Sequence, residues 1–187
     1  MLSRQEALLL LKKYLKNENT IKHLIATEAV MKALAKKFES DKQEAWAMAG
    51  LLHDIDYEKV KDDLSQHSLE GAKMLEEFGL DKDICQAVKV HNEAHGIAPK
   101  TLMEKALFVT DPLTGLIVAA TLVLPSKKIA DLTAENVLNR FKEKAFARGA
   151  NREIIAKSEE LLNIKLEEFV EIGLKAMQSI DKDLGLS

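Results

Sequence analysis

The chain has 187 residues, 47% hydrophobic and 30% charged, with 27 Lys and Arg against 30 Asp and Glu. That length suits about one domain, and the net charge of −3 argues against a strongly basic nucleic-acid platform. A single cysteine, Cys85, excludes an internal disulfide framework and a cysteine-based zinc site.

Helical signals follow one another from the N-terminus. Ser3 with Glu6 has capping-box spacing ahead of Leu8, Leu11 and Leu15. Glu6 also arrives before any apolar run, so the start carries no signal-peptide pattern and the expected location is cytoplasmic. Thr20 is the predicted cap of a second helix through Phe38, with Leu24, Met31, Leu34, Ala35 and Phe38 as its apolar stripe. Asp41 caps a third, from Lys42 to about Asp54, whose centre is apolar all round and therefore buried on several sides. Residues 56–64 are polar and acidic and read as loop or a broken helix. Ser65 starts a fourth helix that stops at Phe78-Gly79.

Asp81 caps a fifth helix to about Ala94, and a loop from His95 to Pro99 precedes a sixth, with Thr101 and Glu104 at capping-box spacing. Pro112 should kink or restart that helix near Asp111. The uncharged run LTGLIVAATLVL, residues 113–124, has 12 residues and closes at Pro125. Spanning a membrane takes roughly 20, so the run reads as a core helix and no membrane partner is expected. Further helices are predicted over residues 133–146, 151–162 and 165–180. No stretch alternates with period two over strand length, so the expected fold is all-α: a single-domain helical bundle over residues 1–187. Trp46, Phe38, Phe78 and Phe108 fall in apolar stripes and are assigned to the core, and Cys85 reads as a buried thiol.

Five histidines, His23, His53, His67, His91 and His95, lie on or beside predicted helices. His53 is followed by Asp54, and Asp111 stands at the Pro112 position. Imidazoles with carboxylates suit divalent transition metals, and a bundle can converge them from facing helices. Burying so many ionisable groups is costly unless they are paired or hold a metal. Adjacent helical residues point about 100° apart, so His53 and Asp54 can share one ion only where the helix ends.

The text Ala49-Gly50-Leu51-Leu52-His53-Asp54-Ile55, then His67-Ser68-x-x-Gly71-Ala72, Val90-His91 and Ala106-Leu107-x-x-Thr110-Asp111 resembles the HD superfamily of metal-dependent phosphohydrolases. The likeness covers about residues 20–125, and the segment from Phe146 to Glu153 is similar to a bacterial subgroup of HD hydrolases. The resemblance implies one metal on His23, His53, Asp54 and Asp111. It implies a second on His67 and His91, with Asp54 bridging. The cofactor is then one or two divalent ions among Mn, Fe, Mg, Co, Ni and Zn. The common His-Asp-Ile-Gly-Lys text is His53-Asp54-Ile55-Asp56-Tyr57 here, and no Gly-Tyr-Pro signature follows, which argues against cyclic dinucleotide cleavage.

The implied function is hydrolysis of a phosphate ester or anhydride in a small phosphorylated or nucleotide-like substrate by a metal-activated water, with no stable nucleic-acid partner. The alternatives are a non-catalytic nucleotide-binding regulatory module and a helical adaptor. Asp54, Asp56 and Glu93 are the catalytic candidates, with Glu58 also near the ligands. Phosphate needs cations, and Lys127, Lys128 and Arg148 are the main candidates, with Arg140, Lys144 and Arg152 nearby. Ile164, Phe169, Ile172 and Met177 could pack on the domain or on a second copy, making a homodimer possible.

Overall fold

A computed structural model describes residues 2–187, and among them there are helices and turns with no strand. The helix α1, Arg4–Tyr14, begins at the Ser3–Glu6 capping box. The helix α2, Glu18–Phe38, starts earlier than the Thr20 cap predicts, because the Asn17 carboxamide accepts from the Asn19 N–H at 2.9 Å. A 3-10 turn over Ser40–Lys42 absorbs Asp41, and α3 follows as Gln43–Leu52. The helix α4, Leu69–Glu77, does not start at Ser65: a 3-10 turn comes first and Ser68 takes φ 72°. The helix α5, Lys82–Val90, ends at His91 rather than near Ala94, where a 3-10 turn over Glu93–His95 takes over.

The helix α6, Leu102–Leu122, runs through Pro112 without restarting. Proline brings no N–H, so the Phe108 carbonyl loses its helical partner, yet neighbouring helices hold the segment. This is the one helix among the described residues long and apolar enough to cross a membrane, and most of it is buried inside the bundle. The helix α7, Ala134–Lys142, ends short of the predicted Phe146. The predicted helix over 151–162 divides at Lys157 into α8, Arg152–Ala156, and α9, Ser158–Leu162. The chain closes with α10, Leu166–Gln178, and α11, Asp181–Leu184.

The long helices α2 and α6 form the spine of the principal core. Trp46 is fully buried and stacks on Phe38 with ring centroids 6.4 Å apart. Its indole N–H donates to Glu39 at 3.2 Å, which satisfies the polar end of a buried aromatic. Residues from Ile129 to Leu186 share this core with residues of α2, α3 and α6, so the C-terminal helices pack on the domain. Phe169, Ile164 and Met177 all point inward, and Ile172 packs partly buried against them. A second cluster joins Leu11 and Leu15 to Leu51, Leu52, Ile55, Leu75 and Cys85. Phe78 is a correction: it is 38% exposed and lies against Tyr14 at the surface, because α4 ends there and turns away from the core.

The crossing of α2 and α3 sets where the histidines lie. A Cβ on Gly50 would stand 2.8 Å from the Thr27 carbonyl oxygen and 3.0 Å from the Glu28 Cα, both backbone atoms that cannot swing aside. The two helices therefore approach to a distance only glycine permits. Gly50→Ala is expected to destabilise the protein by about 1–3 kcal/mol through overpacking, read from the urea midpoint. An unchanged midpoint would contradict this crossing.

Candidate metal centre

Each predicted ligand sits where its helix lets it reach inward. His23 lies on α2, Asp111 on α6, and His91 is the C-cap of α5. His53 and Asp54 follow the last residue of α3, and the chain continues in tight turns, with Ile55 N–H on Leu52 O and Tyr57 N–H on Asp54 O. Leaving the regular helix frees the two side chains from helical spacing, so both point to one centre. His67 sits just ahead of α4.

All four imidazoles are pinned in the same way. Nδ1 of His53 donates to the Gly50 carbonyl at 2.8 Å, Nδ1 of His91 to the Val88 carbonyl at 2.6 Å, and Nδ1 of His67 to Asp56 at 2.9 Å. The Thr114 hydroxyl donates to the Asp111 carbonyl and accepts from Nδ1 of His23 at 3.1 Å. Every Nε2 is thereby aimed at the centre, the orientation that hydrogen bonding to the far nitrogen imposes on metal-binding histidines. Neighbouring rings meet edge to face, with His53–His91 centroids 4.9 Å and His67–His91 centroids 5.1 Å apart.

The donor atoms have the spacing a cation needs. Oδ1 of Asp111 is 2.9 Å from Nε2 of His23 and 3.6 Å from Nε2 of His53, and the two Nε2 atoms are 3.2 Å apart. Oδ1 of Asp54 is 3.2 Å from Nε2 of His67, 3.3 Å from that of His91 and 3.5 Å from that of His53. Ligands at metal–donor distances of about 2.0–2.2 Å stand roughly 3.0–3.5 Å from one another. The donor set thus fits a divalent ion. Two overlapping groups emerge, His23–His53–Asp111 and His53–Asp54–His91.

Charge balance inside the cluster is tight. Burial favours the neutral form of His53, but the charges of Asp54 and Asp111 outweigh it and raise its pKa to about 9. Burial likewise opposes charge on His67, and its bonds to Asp54 and Asp56 raise it to about 10. Burial favours protonated Asp54 and Asp111, yet the surrounding imidazoles hold both well below the ordinary carboxylate range. Without metal, protons on His53 and His67 offset the carboxylate charge near neutral pH, and a divalent cation must displace them. Metal binding at pH 7 is expected to release protons, and affinity is expected to climb as pH rises toward 9. Titration calorimetry in buffers of different ionisation enthalpy reads this directly, and a heat independent of buffer would contradict it.

Asp56 is placed differently from an acid facing substrate. It is fully buried, and its carboxylate accepts from Nδ1 of His67 at 2.9 Å and from the Ser68 and Gly71 backbone N–H groups at 2.8 Å each. A Cβ on Gly71 would press within 3.1 Å of that carboxyl group. Asp56 therefore anchors His67 and the start of α4. His95 likewise turns from the centre, its Nε2 donating to the His67 carbonyl at 2.6 Å, with Asn92 on the same oxygen at 3.2 Å. Glu58 caps the backbone N–H groups of Lys16 and Asn17 at 2.6 and 2.8 Å. Thr114, three residues past Asp111 and so on the same face of α6, carries the one signal that could have revealed it from sequence.

His23, His67, His91 and Asp111 of the cluster open onto a cleft of about 420 Å³ that is also lined by Glu93, Asn151, Phe108 and Pro112. Glu93 is exposed on the rim, with both carboxylate oxygens bonded to the Asn151 amide at 2.8 and 3.0 Å. Lys127 and Lys128 are not brought to it: they follow the far end of α6, and the Asp111–Leu122 stretch alone rises about 16 Å. Arg148 lines a neighbouring cleft. Asp56→Asn is expected to weaken metal affinity about 10- to 100-fold, because the partner that orients His67 loses its charge. Wild-type affinity in that variant, measured by competition with a chelating dye, would contradict the anchoring role.

Comparison with known proteins agrees with this geometry. The HD domain family matches residues 20–116, which include His23, His53, Asp54, His67, His91 and Asp111. The chain is 29% identical over 143 residues to Ribonuclease Y of Oleidesulfovibrio alaskensis, covering 74% of this chain and 27% of that protein. It is 29% identical over 140 residues to Ribonuclease Y of Lawsonia intracellularis, covering 73% and 26%. Ribonuclease Y of Nitratidesulfovibrio vulgaris strain DP4 is 30% identical over 143 residues, covering 74% and 27%. The chain thus spans about a quarter of the length of these relatives. No solved structure matches it significantly. Carrying that family match across more than half its length, the chain belongs to the HD domain family, whose members bind divalent metals.

Proposed function

We propose that the protein is a metal-dependent phosphohydrolase that cleaves a phosphate ester or anhydride of a small nucleotide-like substrate with a metal-activated water. The observation that carries this reading is the convergence of four Nδ1-anchored imidazoles and two carboxylates, of which His23, His67, His91 and Asp111 line an open cleft while His53 and Asp54 lie buried. His23, His53, Asp54 and Asp111 would hold one divalent ion, and His67 and His91 a second, with Asp54 between them. When bound, such ions lower the pKa of coordinated water and neutralise charge on a phosphoryl oxygen.

The chain's own residues supply the rest. Asp54, nearly buried among the imidazoles, keeps its negative charge and draws the two halves of the cluster together. Phe108 and Pro112 give the cleft an apolar wall. Glu93, on the cleft rim and bonded to the Asn151 amide, would pass a proton to or from the substrate side. The name of the relatives, Ribonuclease Y, extends the reading to phosphodiesters. The net charge of −3 favours short substrates over stable association with long nucleic acid. A reducing cytoplasmic setting suits the one buried thiol, Cys85.

Metal stoichiometry on anaerobically purified protein, followed by a phosphate-ester panel with that metal, tests the reading. His53→Ala and Asp54→Ala are each expected to abolish both bound metal and turnover, and retained activity in either would refute the assignment. His67→Ala is expected to lower stoichiometry from two ions to one. Nucleotide binding without turnover under any divalent ion would instead support a regulatory module.

A further inference from the structure

The segment from Glu143 to Arg152 joins α7 to α8 and forms one wall of the metal cleft through Ala147, Gly149, Ala150 and Asn151. Its shape is imposed. The Arg152 guanidinium donates to the Ala147 and Ala150 carbonyls at 2.6 Å each and to the Phe146 carbonyl at 2.5 Å. Ala147 is held at φ 42°, a left-handed conformation that a residue with a Cβ adopts at a cost. Arg152 is thereby consumed as a clamp, and its charge is spread over backbone carbonyls.

Behind this wall lies a second cleft of about 620 Å³, which shares Glu93, Gly149, Ala150 and Asn151 with the first. Lys144 and Arg148 line it, and both are exposed. Glu143, the acid adjoining Lys144 in sequence, is taken by Arg140, whose Nη1 bonds both its oxygens at 2.9 Å. Glu93 and Glu153 also line the second cleft, and Glu93 is engaged by the Asn151 amide. Among the described residues neither Lys144 nor Arg148 has a carboxylate oxygen within 4.0 Å. Lys144 and Arg148, neither in direct ion pairing, thus stand beside the metal cleft on a loop locked into an unfavourable backbone shape. Their natural complement is an anion covalently connected to whatever occupies the metal cleft.

We propose that Lys144 and Arg148 form a second phosphate subsite, contiguous with the metal cleft across Glu93 and Asn151, so that the substrate carries a further phosphate beyond the one at the metal centre. This rests on reading the metal cleft as a phosphate-ester site and narrows the substrate class from phosphate esters and anhydrides in general to esters that carry a second phosphate, such as short oligonucleotides. Arg148 is a substrate-positioning residue in this scheme, and Arg152 supports it by holding the loop.

The test compares binding of two probes to the metal-loaded protein by calorimetry. One is thymidine 5′-monophosphate. The other is the 5′-phosphorylated thymidine dinucleotide with a hydrolysis-resistant phosphorothioate linkage. The wild type is expected to bind the dinucleotide about tenfold more tightly. The exposed pair Lys144→Ala/Arg148→Ala is expected to erase that preference while keeping the wild-type unfolding midpoint. Equal binding of both probes, or a preference that survives the double variant, would overturn the subsite. Hydrolysis of a simple aryl phosphate by the same preparation reads the metal centre separately. Turnover without a dinucleotide preference overturns the subsite alone, whereas a preference removed by the double variant without turnover keeps the subsite and overturns the hydrolase reading.

Discussion

A carboxylate enclosed by four imidazoles is the arrangement around which the bundle is organised. Asp54 reaches Nε2 of His67, His91 and His53 at 3.2–3.5 Å and that of His23 at 3.8 Å. Removing such charges from water is expensive unless each has a partner. Here every imidazole is tied at Nδ1, and every carboxylate faces imidazoles. The cluster is therefore an arrangement of mutual compensation whose donors also converge at a spacing that could hold a divalent ion. Nδ1 anchoring is what leaves the Nε2 atoms nowhere else to point.

That constraint explains features otherwise scattered through the chain. Gly50 allows α3 to press against the backbone of α2, which brings His53 to His23. Pro112 interrupts the hydrogen-bond ladder of α6 one residue beyond Asp111, at the point where that helix borders the cleft. Asp56 collects three donors so that His67 and the first turn of α4 move as one piece. The helices outside the matched family segment do more than cover the core. They carry Asn151 to Glu93 and the clamped loop to the cleft wall, so the chemistry of the centre and the shape of its entrance come from different halves of the sequence.

Sequence periodicity was most reliable where an element is set by its own residues. The Ser3–Glu6 box starts α1, the apolar stripe of α2 is buried, and the uncharged run after Pro112 lies mostly inside the bundle. It was least reliable where a side chain from elsewhere competes for backbone groups. The polar stretch after Ser65 reads as helix, but the distant Asp56 carboxylate captures the Ser68 and Gly71 N–H groups and delays α4. Asn92 accepts from the Ala94 N–H and donates to the His67 carbonyl, which closes α5 early. Phe78 fits an apolar stripe yet lies at the surface, since periodicity does not say where a helix stops touching its neighbours.

By itself the sequence determined the helical class and singled out the imidazoles and carboxylates that the fold gathers, because spacing along a helix and donor chemistry are local properties of the text. Only the tertiary structure decided what each remaining polar residue does. Asp56 and Arg152 read as acid and cation in sequence, and the fold makes one an anchor for His67 and the other a clamp on three carbonyls. Lys127 and Lys128 read as phosphate ligands, and the length of α6 carries them away, while the loop before α8 brings Arg148 beside the cleft. The physical reason is that a charged side chain's role is set by which partners lie within a few ångströms, and those partners come from chain segments that pattern alone cannot pair.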